Sequence, residues 1–177
     1  LLMLIYEIIR PYFLFAAYIF AAYLNIWWLA IPLAFVTYLA AFVQLHDTMH
    51  ASMGLSRRWN NFLLVTSALL VFKSGHGARC THLQHHAKDL EEGDLEGEPA
   101  RWPLWKVLIL GPIYAVKLRF YAFRFGSKSI IRMQIIEGLV NIGQIVVCLV
   151  LWIIFGITGA LVYWLLVVLF SCMLPLF

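Results

Sequence analysis

Charge is what this 177-residue sequence has least of. Only 12% of its residues are Asp, Glu, Lys or Arg, against about 25% in soluble domains. Cysteine is scarce too: Cys80, Cys148 and Cys172 are an odd set with no CxxC spacing, which excludes a disulfide framework. The net charge of +4 sits on too little polar surface for a nucleic-acid partner. No small-residue cleavage site follows the first apolar stretch, so no signal peptide is expected. What remains is apolar: 63% falls in the AVILMFWYC set, 16% is aromatic, and the mean hydropathy is +0.87. This excludes a disordered chain and an ordinary soluble domain. One domain's worth of residues has lipid as its main solvent.

Residues 12–45 are nearly all apolar, long enough for two short spans of about 17 residues each. A break is available between Asn25 and Pro32, where Trp27 and Trp28 suit a membrane interface. The expected hairpin is 12–26 and 30–45. The apolar stretches 61–72 and 103–116 are too short to span and are expected as surface or re-entrant helices. Residues 135–155 and 158–177, parted by Gly156-Ile157, read as a second hairpin. With this arrangement neither outer turn, 26–31 or 155–159, carries Lys or Arg. All 13 basic residues then lie on one side, which the positive-inside rule makes cytoplasmic. The expected fold is an all-α integral membrane protein: four transmembrane helices in two hairpins, with interfacial helices and a cytoplasmic helical cap. As one domain over 1–177, it divides into a first hairpin (12–45), a cap (46–134) and a second hairpin (135–177).

Five of six histidines fall into two clusters, His46-Asp47-Thr48-Met49-His50 and His82-Leu83-Gln84-His85-His86. Positions three and four apart share a helix face, so His46 and His50 can point at one metal, as can His82 with His85 or His86. Only 31 residues (51–81) separate the clusters. A single crossing at 61–72 would put them on opposite faces of the membrane; a surface helix keeps them together. The charge distribution and the ligand spacing therefore select the same topology. A zinc protease would want H-E-x-x-H; here Asp47 follows His46. Five imidazoles also exceed what tetrahedral zinc uses. They suit a pair of first-row metals, with iron favoured for oxygen chemistry.

These boxes resemble those of the membrane fatty acid desaturase superfamily, which includes carotenoid hydroxylases and ketolases. His46 to His50 matches the first box of that signature, H-x3/4-H, and His82 to His86 the second, H-x2/3-H-H. The resemblance implies a non-haem di-iron centre with O2 as co-substrate, a lipid substrate and a separate electron donor of ferredoxin or cytochrome b5 type. It implies hydrogen removal from an unactivated C–H bond, a second removal giving a double bond and oxygen rebound an alcohol. The expected metal ligands are His46, His50, His82, His85 and His86, with no catalytic residue beyond them. The expected function is O2-dependent desaturation of a fatty acyl chain, with carotenoid hydroxylation or ketolation, or a zinc hydrolase, as alternatives. The family's third box is absent, since no histidine follows His86. The natural chain is therefore expected to continue past Phe177 with that box, and this form to lack a complete site.

Other residues are weighed against blander roles. His76 is an interfacial histidine, an extra ligand, or a donor behind the ligands. Asp47 is solvent-exposed or accepts from an imidazole. The run Lys88 to Glu98 is a solvated loop, or offers Asp89 or Asp94 to a histidine. Arg79 and Thr81 flank the second box, and Glu137 sits at the mouth of the third span as a weak functional candidate. The basic run Lys117 to Arg132, interleaved with Phe120, Tyr121, Phe123 and Phe125, reads as an amphipathic surface segment for lipid headgroups. Docking of an acidic electron donor is its second reading.

Overall fold

A computed structural model describes residues 2–88, 93–94 and 96–173. Among the described residues the chain is helical, with no strand. Helices α1 (Leu2–Tyr23) and α2 (Trp27–Met49) form a hairpin, and α3 (Arg57–Leu70) and α4 (Gly75–Lys88) form a shorter pair. A 3-10 turn at Glu98–Arg101 leads into α5 (Leu104–Phe125), α6 (Lys128–Phe155) and α7 (Gly159–Met173). Three of these, α1, α2 and α6, are long and apolar enough to cross a membrane. Helix α7 is apolar but shorter, at 15 residues.

The first break is sharper than expected. It falls at residues 24–26, where Asn25 takes φ +58°, a left-handed conformation that asparagine tolerates. Pro32 lies inside α2, close enough to its start that the helix runs on. Pro11, inside α1, deprives the Glu7 carbonyl of its helical donor. Gln44 of α2 replaces it, donating from Nε2 to Glu7 O at 2.9 Å and to Ile8 O at 3.0 Å. Its Oε1 accepts from the Tyr12 hydroxyl at 3.1 Å, and that hydroxyl also meets Thr66 Oγ1 of α3 at 2.5 Å. Apolar surroundings leave no water for such groups, so partners must come from a neighbouring helix.

Small residues set the close approach of α1 and α2: Ala21, Ala22, Ala30, Ala34 and Ala41 are all buried. Helix α7 seals this hairpin. Tyr18 donates to Gly159 O at 2.6 Å, and its ring centroid lies 5.0 Å from that of Tyr163.

The α3–α4 pair is set into the bundle rather than resting on it. Leu63, Leu64, Ser67 and Ala68 make a buried face on α3. The turn at 71–74 is gripped from three helices. Arg119 of α5 donates to Phe72 O at 3.3 Å, Asn141 of α6 to Lys73 O at 3.3 Å, and Tyr163 of α7 to Leu70 O at 3.2 Å. Gly75 lets α4 start against α3, because a Cβ there would lie 2.6 Å from the Leu64 carbonyl oxygen. The basic stretch 117–132 is not one segment either. It divides at Gly126-Ser127, because the Ser127 hydroxyl caps α6 by accepting from Ile130 N at 3.3 Å. Helix α6 therefore starts at Lys128, not at 135.

Candidate metal centre

The two histidine boxes sit at helix C-terminal ends that the bundle brings together. His46 occupies the last turn of α2 and His50 its C-cap. His82, His85 and His86 occupy the last turns of α4. Because α2 contacts both α3 and α4, the 51–81 segment folds back and its two ends meet.

One nitrogen from each of His46, His50, His82 and His86 lies within 4.8 Å of the other three. His82 Nε2 is 3.0 Å from His50 Nε2 and 3.1 Å from His86 Nε2. Two imidazole nitrogens bound at about 2.1 Å to one ion, at right angles, stand about 3 Å apart. Adjacent lone pairs at this spacing need a cation between them, and neutral imidazole suits first-row metals. The residues therefore fit a metal. Of the two pairings open to His82 on its own helix, the structure selects His86. The second-box His85 stands aside: its ring is 6.2 Å from His82 and 5.4 Å from His86, outside the group of four.

Carboxylates approach the box from behind. His82 Nδ1 lies 3.1 Å from Glu96 Oε1, and His85 Nδ1 lies 2.7 Å from Asp94 Oδ2. A carboxylate on Nδ1 holds the proton there, leaves Nε2 as the free donor atom and fixes the ring. Asp94 is itself buried at 5% exposure, and its Oδ1 accepts from Gly97 N at 3.1 Å. The loop is anchored to α5, where Tyr114 donates to Glu98 Oε2 at 2.9 Å. The described part of the acidic run is thus folded onto the histidines rather than solvated; Asp89 lies outside the described residues.

The remaining candidates separate. His46 Nδ1 is 3.7 Å from Asp47 Oδ1, too far for a hydrogen bond. Arg79 ties α4 to α3 by donating to Asn61 Oδ1 at 3.1 Å, and Thr81 donates to the Ala78 carbonyl of its own helix. His76 is buried away from the four, with Nδ1 2.6 Å from Glu137 Oε1; the Ser74 hydroxyl donates to Glu137 Oε2 at 2.5 Å. Burial pushes the His50 imidazole below its ordinary pKa, as do neighbouring His46, His82 and His86 in turn. This favours the neutral form that binds metal.

Sequence reasoning missed Glu96 and a polar stripe on α6. Gln134, Glu137 and Asn141 are the buried residues of that helix among those described. The signal was legible: three polar residues at i, i+3 and i+7 in an apolar run share one face. Glu96 had no such signal, since only the fold of the loop brings it to His82.

Convergent imidazoles, backed by carboxylates on a bundle of lipid-length helices, define a histidine-box metalloprotein of the membrane. The chain belongs to the fatty acid desaturase family, whose model matches residues 8–177. The family implies a membrane di-iron oxidoreductase of desaturase type with a lipid substrate. No curated protein and no solved structure matches the chain.

Proposed function

We propose that this protein is a membrane-bound non-haem di-iron oxidoreductase that desaturates a fatty acyl chain with O2. The carrying observation is the convergence of His46, His50, His82 and His86, with Glu96 and Asp94 behind the second box. His46, His50, His82 and His86 hold one iron, and His85, aimed by Asp94, serves the second. The irons supply O2 activation and the removal of hydrogen from an unactivated C–H bond. The protein's own part is to hold five neutral imidazoles in place and to aim the chain. A separate donor of ferredoxin or cytochrome b5 type supplies electrons. The expected frame is four spans in two hairpins around a cap at 46–134, with the boxes on the cytoplasmic face. The absence of Lys and Arg from the outer turns supports that sidedness.

The test is metal content of the purified full chain by elemental analysis with Mössbauer spectroscopy, beside His50→Ala and His85→Ala. Two coupled irons per chain, with coupling lost in both variants, support the reading. One zinc, lost in His50→Ala and kept in His85→Ala, refutes it in favour of a membrane hydrolase. Product analysis in a host supplying fatty acyl lipids and carotenoids then separates desaturation from carotenoid hydroxylation or ketolation.

A further inference from the structure

A cleft of about 200 Å3 lies between α5 and α6, with Ser74 of the α3–α4 turn among its lining residues. Its two linings differ in chemistry. Ile135, Leu139 and Ile142 of α6 are exposed on the surface that faces lipid and form an apolar rim. Gln134 and Asn141 line the same cleft but are only 2% and 5% exposed. Both amide atoms of Gln134 and Oδ1 of Asn141 are buried with no hydrogen-bond partner among the described residues. Each such atom costs about 1–3 kcal/mol if left unpaired. Three on one cleft floor therefore point to a ligand.

The orphaned atoms specify its chemistry. Asn141 must turn Nδ2 to the Lys73 carbonyl, so its free atom is an acceptor. Gln134 offers one acceptor and one donor whichever way its amide is turned. Two acceptors and one donor call for a group that both donates and accepts. An ester carbonyl or an ether donates nothing. A carboxylate would face two carbonyl oxygens. The nearby charges are engaged: Glu137 holds His76 and Ser74, and Arg119 donates to Phe72 O. The neutral hydroxyl fits.

We propose that the α5–α6 cleft binds the hydroxyl end of a single-chain lipid, with the apolar chain lying on the Ile135–Leu139–Ile142 rim. Gln134 and Asn141 take the hydroxyl. Its binding stands on the cleft alone. Its role as the anchor of the substrate rests on the oxidoreductase reading above. The cleft floor meets α4 at its first turn, six residues or about 9 Å along the axis from His82. A hydroxyl held there leaves carbons further along the chain for the histidine cluster.

The test is photolabelling of the full chain in nanodiscs with three 16-carbon diazirine probes: an alcohol, its methyl ether and the plain alkane. Labelled residues are read by mass spectrometry, and iron is measured on the same samples. The alcohol is expected to label the cleft, with ether and alkane at least about tenfold weaker there, the factor expected when a buried group is left unpaired. Gln134→Leu with Asn141→Leu removes the preference for alcohol. Gly138→Phe blocks the cleft, since a Cβ at Gly138 meets nothing within 4 Å and the new ring projects into open space. Iron content is expected to stay unchanged in both variants. Equal labelling by all three probes, or alcohol labelling that survives Gly138→Phe, overturns the proposal. Labelling of the cleft in a chain that binds no iron keeps the lipid site and sinks the oxidoreductase reading. Iron with no cleft labelling does the reverse.

Discussion

Asp94→Asn isolates the carboxylate behind His85 with the least change of shape. Asp94 accepts twice, from His85 Nδ1 at 2.7 Å and from Gly97 N at 3.1 Å. Asparagine has one acceptor and one donor end. With its oxygen toward Gly97, its NH2 faces His85 Nδ1. The ring must then carry its proton on Nε2, the atom a metal would take. With its oxygen toward His85, its NH2 opposes the Gly97 N–H in a site only 5% exposed. Either way one buried hydrogen bond to a charged group is lost, worth about 1.5–3 kcal/mol. Loss of such a partner lowers metal affinity by about 10–100-fold, or about 1.4–2.7 kcal/mol. The assay is iron retention against a graded chelator, compared with wild type and with His85→Ala, with thermal unfolding of each apo form alongside. The expected result is one weakened iron per chain and one that holds as in wild type. Retention of both irons within twofold of wild type would refute a positioning role for Asp94. So would weakening that scales only with a fall in apo stability.

Two further outcomes follow from the same geometry. The lowered His50 pKa means that the apo unfolded chain binds more protons than the folded one just below the ordinary imidazole value of about 6.5. Apo stability should therefore fall as pH drops from 7.5 to 5.5. His50→Gln should flatten that slope in thermal melts, and an unchanged slope would show that the cluster is not electrostatically coupled. Gly75→Ala should destabilise by about 1–3 kcal/mol, because its Cβ would meet backbone at the Leu64 carbonyl. Calorimetry in detergent measures it, and a melting temperature equal to wild type would show that α4 is free to move off α3.

Much of this was legible in one dimension. Apolar runs of helix length, polar breaks and one-sided Lys and Arg outlined the hairpins, because lipid permits little besides helices. The i, i+4 spacing of His46 with His50 and of His82 with His86 marked them as same-face pairs. Helix boundaries were less legible. Ser127 moved the start of α6 to Lys128 by capping it. Pro11 and Pro32 stayed inside helices, Pro11 because a distant Gln44 supplies the missing donor to α1.

The sequence by itself determined the solvent, the helical class and the residue types of the metal site, since composition and period depend on no distant contact. Only the tertiary structure decided which imidazoles share a centre and which carboxylates aim them. It alone also placed Gln134 and Asn141 on a cleft floor with atoms left to satisfy. These are meetings between residues tens of positions apart, such as His50 with His82 and Ser74 with Glu137. No local pattern encodes such pairs. They exist because α3 and α4 fold into the bundle, where the α3–α4 turn takes its hydrogen bonds from three other helices.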